Sequence, residues 1–133
     1  MRLLETNAGS KMVQGKDLLL YSVCIENEHP NIFREFSEGR TPLWVCLESE
    51  HINMLVYKIA CMLRLDEPPR SVSVLTVDGS PHCIQLHYAV EEAKKISGSD
   101  VGVKHFVVSR GKIEEVASQT VKRSRYLGKL SSD

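Results

Sequence analysis

Short apolar runs alternate with segments of helical periodicity along most of this chain. Three runs, at residues 18–25, 43–47 and 72–77, predict buried strands, and a helical pattern follows each of them. Nearly continuous apolar runs of this length are typical of strands that are covered on both faces of a sheet. A fourth strand is predicted at 103–108, and an Arg110-Gly111 turn leads from it into a shorter fifth strand at 112–116.

The predicted helices have recognisable starts and apolar stripes. Asn27 is the expected N-cap of a helix over 28–38, Ser49 that of a second helix, and Ser80 followed by Pro81 that of a third. The second helix is expected to be buried on most sides, because apolar residues also lie opposite its main stripe. The main stripe is Ile52, Leu55, Val56, Ile59, Met62 and Leu63, the opposite side carries Met54, Tyr57 and Cys61, and the third helix carries Leu86, Ala89, Val90, Ala93 and Ile96.

Repeated strand-helix units followed by a hairpin predict an α/β fold. We expect a three-layer sandwich with a mainly parallel sheet, flavodoxin-like or Rossmann-like, and an antiparallel edge hairpin. Residues 1–16 are expected to form an N-terminal arm or an edge strand, and residues 17–133 a single α/β domain. The segment 118–130 is basic and weakly helical. In such sheets ligands bind beyond the carboxyl ends of the strands, where the strand order reverses.

Composition narrows the function classes. The 133 residues include 17 Lys+Arg and 17 Asp+Glu, and this zero net charge disfavours a protein that mainly grips nucleic acid or an anionic membrane. A small-molecule ligand, a metal, a protein partner or a second copy of the chain fits better. The polar N-terminus and the lack of a long apolar run favour a soluble cytoplasmic protein, in which the four cysteines are thiols or ligands rather than disulfides.

The most distinctive motif is a nine-residue block, Val-Cys-x-Glu-x-Glu-His-x-Asn, that occurs twice. The copies span 23–31 and 45–53. Each follows a predicted strand, so the same thiol, carboxylates and imidazole are expected at one edge of the sheet twice. A third strand-to-helix junction, Asp78-Gly79-Ser80-Pro81-His82-Cys83, adds a histidine and a cysteine there.

Counting from the expected caps places three histidines at the second helical position. Cys83 follows at the third position, where the helix dipole favours a thiolate. Neutral imidazoles and thiolates are the forms that bind zinc or iron. An anion at Asp78, Gly79 and Ser80 is a competing use of the same dipoles, and these residues are the candidate cofactor-binding turn. The histidines are His29, His51 and His82.

The Gly79-Ser80-Pro81 turn resembles the phosphate loop of flavodoxin-like FMN reductases over three residues. That family has an Arg next and a Ser/Thr-rich helix start, whereas His82-Cys83-Ile84-Gln85 stands here, and its loop follows the first strand rather than the third. The resemblance therefore implies no activity for this chain.

Three hypotheses follow. The first is a metal, iron–sulfur or thiol/redox site, with zinc or an iron–sulfur cluster as candidate cofactor and Cys24, Cys46, Cys83, His29 and His51 as ligands. The second is an enzyme with Cys83 as nucleophile and His82 beside it, acting on a small anionic substrate. The third is a non-catalytic interaction subunit, in which the cysteines are small buried hydrophobes and the histidines are solvated helix starts; Trp44 and Phe36 would mark its contact surface.

Overall fold

The computed structural model describes residues 1–131, which contain one five-stranded sheet. The strands lie in the order β2-β1-β3-β4-β5; β1 to β4 are parallel, and β5 is antiparallel to β4. The predicted parallel sheet with an antiparallel edge is confirmed. The strands are β1 (Asp17–Ser22), β2 (Thr41–Val45), β3 (Ser71–Val77), β4 (Gly102–Ser109) and β5 (Lys112–Val116).

Helices cover both faces of this sheet and complete the predicted three-layer sandwich. Residues of α1 and α2 pack with Leu19 and Leu75 on one face, whereas α3 and α4 pack with Leu20 and Val74 on the other. The alternation of strand side chains produces this division. The helices are α1 (Cys24–Glu28), α2 (Pro30–Ser37), α3 (Ile52–Leu63), α4 (Ile84–Ser97), α5 (Ser118–Arg123) and α6 (Leu127–Ser131).

The hairpin between β4 and β5 has the predicted turn. Arg110 and Gly111 both have positive φ, 53° and 75°, as a two-residue type I′ turn requires. Gly98, with φ 67°, ends α4 as its predicted stop. These local signals were correct because each rests on backbone geometry that few residue types adopt.

The predicted helix starts after β1 and β2 are wrong. Helix α1 begins at Cys24, so the first strand ends at Ser22 rather than at residue 25, and α3 begins at Ile52 rather than after Ser49. His29 and His51 therefore occupy N-cap positions instead of second helical positions, and neither side chain makes a capping hydrogen bond. The helix-dipole argument for metal binding at His29 and His51 therefore no longer applies, because it required both histidines to lie at the second helical position.

The third helix start is partly as predicted. Helix α4 begins at Ile84 with Cys83 at its N-cap, so Cys83 is not at the third helical position. The Ser80 hydroxyl nevertheless accepts a hydrogen bond from the Cys83 N–H at 3.2 Å, and so caps the turn that leads into α4.

The outer surfaces of α3 and α4 are more exposed than predicted. Met54 and Tyr57 on α3 are 58% and 75% exposed, and Ile96 on α4 is 66% exposed. No further layer of the described chain covers these sides of the helices. Trp44 and Phe36, by contrast, pack against the core cluster beneath α1 and α2 rather than forming an open patch.

The N-terminal segment packs into the domain. Leu3, in a 3-10 turn at Leu3–Glu5, and Val13 are fully buried in the same core as α3 and α4. The Trp44 N–H donates to the Met1 carbonyl at 2.9 Å, which fixes this segment beside β2. Within residues 1–131, no helix has the length and apolar character needed to cross a membrane.

Candidate functional site

The junctions after β1, β2 and β3 lie at the same edge of the sheet. Because β1 lies between β2 and β3 and all three are parallel, their carboxyl ends are neighbours. The Val23 N–H donates to the Val45 carbonyl at 3.0 Å, which links the two copies of the repeat directly. The predicted placement of these motifs at one edge is confirmed, at the position where ligands bind in doubly wound sheets.

In the first copy, the chain becomes helical immediately after the strand. Cys24 is exposed in α1, and Glu26 accepts a hydrogen bond from the Tyr21 hydroxyl. Burial raises the pKa of Tyr21, and the neighbouring Glu26 carboxylate raises it further. Glu26 therefore serves to satisfy a buried hydroxyl at the base of the loop.

In the second copy, the corresponding residues form a turn locked by a buried carboxylate. Glu50 Oε1 accepts from the Cys46 N–H at 2.7 Å, and Glu50 Oε2 accepts from Arg2 Nε at 2.8 Å. Glu50 is only 8% exposed. Both of its oxygens are engaged with the protein, so Glu50 is a structural residue that ties this loop to the N-terminal segment.

The third junction meets the second loop at the surface. His82 Nε2 is 4.0 Å from Glu48 Oε1, and both side chains are more than half exposed. Such a contact contributes little to stability because solvent screens it. Cys83, by contrast, is buried, at 8% exposure.

The other two cysteines of this edge affect the electrostatic environment of the Cys24 thiol. Burial raises the pKa of Cys24, and the charges of Cys83, Glu28 and Cys46 raise it further. Within residues 1–131, however, no group of three or more His, Cys, Asp or Glu side chains is arranged to hold a metal ion. The buried Ser22 hydroxyl at the end of β1 has no hydrogen-bond partner in the described chain, which marks this edge as polar and incompletely satisfied.

A pocket of about 440 Å³ opens beside the β3–α4 turn. It lies between that turn, the ends of β3 and β4, and α5, and its volume falls in the range of small-molecule sites. Val107, Val116 and Val121 form apolar walls. The predicted cofactor-binding residues all lie at its rim; they are Asp78, Gly79 and Ser80.

A chain of four polar side chains, three of them buried and the last, Glu91, partly exposed, begins in this pocket; we call it the buried relay. Thr76 Oγ1 is 2.8 Å from His87 Nε2, His87 Nδ1 is 2.9 Å from His105 Nδ1, and His105 Nε2 is 2.6 Å from Glu91 Oε2. Thr76 and His87 line the pocket. None of Thr76, His87 and His105 is more than 3% exposed.

The pKa values in the buried relay indicate neutral imidazoles beside an ionised carboxylate. Burial lowers the pKa of His87 to about 3, with a smaller contribution from His105. Burial also lowers the pKa of His105, although Glu91 opposes this. Burial acts to raise the pKa of Glu91, but hydrogen bonds from His105 and Ser118 and the charge of Lys122 outweigh it, so the pKa is lowered.

These protonation states fix the direction of every hydrogen bond. The Glu91 carboxylate can only accept, so His105 carries its proton on Nε2 and accepts at Nδ1. His87 must then donate from Nδ1 and accept at Nε2. The Thr76 hydroxyl therefore donates to His87, which leaves only its oxygen lone pairs for any group that enters the pocket.

Sequence reasoning missed the buried relay entirely. His87 lies next to Leu86 and three residues before Val90 on the apolar stripe of α4, and His105 lies within the apolar strand β4. An ionisable residue on an apolar stripe needs a buried partner, and that was the available signal. The partners are 14 and 18 residues apart, so no local motif connects them.

Residues 10–131 match a protein family that is described as a Rossmann-like domain. No curated protein and no solved structure matches the chain.

Proposed function

The chain belongs to the Rossmann-like domain family, and from this premise we propose that it binds a small, largely apolar molecule in the pocket beside the β3–α4 turn. The observation that carries the proposal is that the pocket and the buried relay are continuous: Thr76 and His87 belong to both. A pocket with apolar walls and a few oriented polar groups is the usual form of a ligand site.

Helix α5 forms one wall of this pocket. Thr120 is exposed on α5 and lines the pocket, whereas the neighbouring Gln119 is exposed and does not line it. Replacing either residue by tryptophan adds the same bulk to the same helix. Only Thr120→Trp places that bulk at the pocket.

Indole is a suitable probe because it is small, apolar and carries one N–H. In a titration followed by two-dimensional NMR, we expect indole to shift signals from β3, α4 and α5 in the wild type and in Gln119→Trp. Thr120→Trp should lose this binding. Equal indole binding by the two variants, or shifts confined to another region, would contradict the proposal.

The thiol hypothesis is a second candidate, favoured by the interaction of Cys24 with Cys83 and Cys46 and by the unpartnered Ser22 hydroxyl at the same edge. In this proposal, the edge where β1 meets β3 carries a thiol/redox or metal site. Elemental analysis of anaerobically purified protein tests its metal form. If zinc and iron are absent and neither can be reconstituted, the metal form fails and only the thiol form stands.

A further inference from the structure

We propose that the pocket selects an uncharged molecule that presents a hydrogen-bond donor, an N–H or O–H group, to Thr76. This inference rests on the proposed function, because it specifies the chemistry of a ligand in the same pocket. It follows from the direction of the buried relay, from the charges around the pocket and from the hydrogen bonds of the adjacent helix start.

The first step is the unused hydrogen-bonding capacity of the Thr76 hydroxyl. A threonine hydroxyl has one proton and two acceptor sites. Its proton is directed to His87 Nε2, and within the described chain no donor is hydrogen-bonded to its oxygen. A ligand atom that approaches Thr76 can therefore donate a proton to it but cannot receive one from it.

The second step is that the pocket does not favour an anion. Its lining includes the carboxylate of Asp78 but no lysine or arginine. Lys122 on α5 is 3.9 Å from Glu91, at the far end of the buried relay. A phosphate or carboxylate in the pocket would lose its hydration without gaining a counter-charge.

The third step concerns the start of α4, which would ordinarily attract an anion. Two amide protons at this helix start are already used: the Cys83 N–H donates to the Ser80 hydroxyl, and the Ile84 N–H donates to the Ser80 carbonyl. The Asp78 N–H donates to the Val108 carbonyl at 3.0 Å. Three amides of this turn are therefore engaged within the chain, and because the pocket lining includes no lysine or arginine, an uncharged ligand is the better fit.

A pair of isosteric probes tests the inference. Indole and benzofuran have the same shape, but only indole carries a donor. We expect the wild type to bind indole about fivefold to tenfold more tightly than benzofuran, the usual effect of one hydrogen bond. Dissociation constants come from NMR titration at pH 7.5, where both histidines are neutral.

Two variants connect the preference to Thr76. Thr76→Ser retains the hydroxyl and should keep the preference for indole, whereas Thr76→Val removes it and should bind both probes alike. Circular dichroism shows whether each variant is folded; if Thr76→Val does not fold, the wild-type and Thr76→Ser ratios decide the matter alone.

The outcomes separate this inference from the proposed function. If both probes bind the wild type equally and Thr120→Trp abolishes both, the pocket is a ligand site and the donor inference is overturned. If neither probe binds at millimolar concentration, both proposals fail. Preferential binding of benzofuran would show that the direction of the buried relay is the reverse of the one derived from Glu91.

Discussion

The repeated Cys-Glu-Glu-His blocks and the buried relay differ in how their polar residues are used. The blocks are conspicuous in the sequence, yet His29 is half-buried, His51 is exposed and the two copies adopt different structures. The relay comes from isolated residues on three elements, yet it is a continuous run of hydrogen bonds with almost no exposure. A motif that is repeated in the sequence therefore need not bring its side chains together in the folded protein.

The same comparison holds within the repeat. Glu28 and Glu50 occupy equivalent positions of the two copies, but Glu28 is exposed in α1 and Glu50 is buried against Arg2. The difference arises outside the repeat, because the N-terminal segment passes only the second copy. Contacts with residues distant in sequence therefore determine the structure of each copy.

The largest effect should separate two histidines, one from each region. His105→Ala leaves His87 and Glu91 without their shared partner inside the protein, and we expect a loss of about 3 kcal/mol in the free energy of unfolding. His51→Ala removes an exposed ring that makes no capping hydrogen bond, and should change it by less than about 0.5 kcal/mol. Urea unfolding followed by circular dichroism measures both. Equal losses of unfolding free energy in the two variants would contradict the proposed difference between the buried relay and the repeated blocks.

The pH dependence of stability should also come from the buried relay. The pKa of His87 is about 3 in the folded protein and 6.5 in the unfolded chain, so only the unfolded chain takes up this proton as the pH falls from 6.5 towards 3. Stability is therefore complete above pH 6.5 and is lost below it. The lowered pKa values of His105 and Glu91 act in the same direction.

Between pH 6 and pH 4 we expect His87 alone to account for a loss of about 2–3 kcal/mol. His87→Gln removes this titration and should flatten the curve, whereas His82→Gln, which alters an exposed histidine, should keep the wild-type slope. Urea unfolding at several pH values measures the three curves. An unchanged slope in His87→Gln would show that other groups dominate the acid response.

These contrasts show how far the sequence could be interpreted. The strands of the sheet were predictable because a strand buried on both faces needs a run of apolar side chains, as in β3. The hairpin was predictable because Arg110-Gly111 must take positive φ. The start of α3 was not, because Glu50 holds residues 46–50 as a separate turn through a contact with Arg2, 48 residues away.

The candidate site also has one part that the sequence could predict and one part that it could not. The position of the turn beside the pocket was predictable, since Asp78, Gly79 and Ser80 follow a recognisable strand. Its polar interior was not, because the register of β3 and β4 pairs Val74 with His105 and Thr76 with Val107. That register, and the turn of α4 that carries His87, bring the relay together.

A smaller effect should separate Glu50 from Glu28. Glu50→Ala leaves the Cys46 N–H and the Arg2 guanidinium without their acceptor, and we expect a loss of about 2 kcal/mol in the free energy of unfolding. Glu28→Ala, at the matching position of the first copy, should cost less than about 0.5 kcal/mol. Thermal and urea unfolding measure both variants. A large loss in Glu28→Ala would mean that the first copy is also locked by its second carboxylate.

The smallest expected effect concerns the thiols at the edge of the sheet. Cys24 is exposed and Cys83 is buried, so iodoacetamide should alkylate Cys24 first in the folded protein, even though burial and the charges of Cys83, Glu28 and Cys46 raise its pKa. Because the thiolate is the reactive form, Glu28→Gln should lower that pKa and speed alkylation of Cys24 roughly twofold.

Glu38→Gln, an exposed change beyond α2, is the matched control and should leave the alkylation rate at Cys24 unchanged. Peptide mass spectrometry after timed labelling at pH 7.5 gives the rate at each cysteine. If Cys83 reacts first instead, its thiol is activated despite burial. The third junction would then carry the nucleophile that its Gly-Ser-Pro-His-Cys sequence predicts. Of the residues at the exposed edge, only the two copies of the repeat would then still contrast with the buried relay.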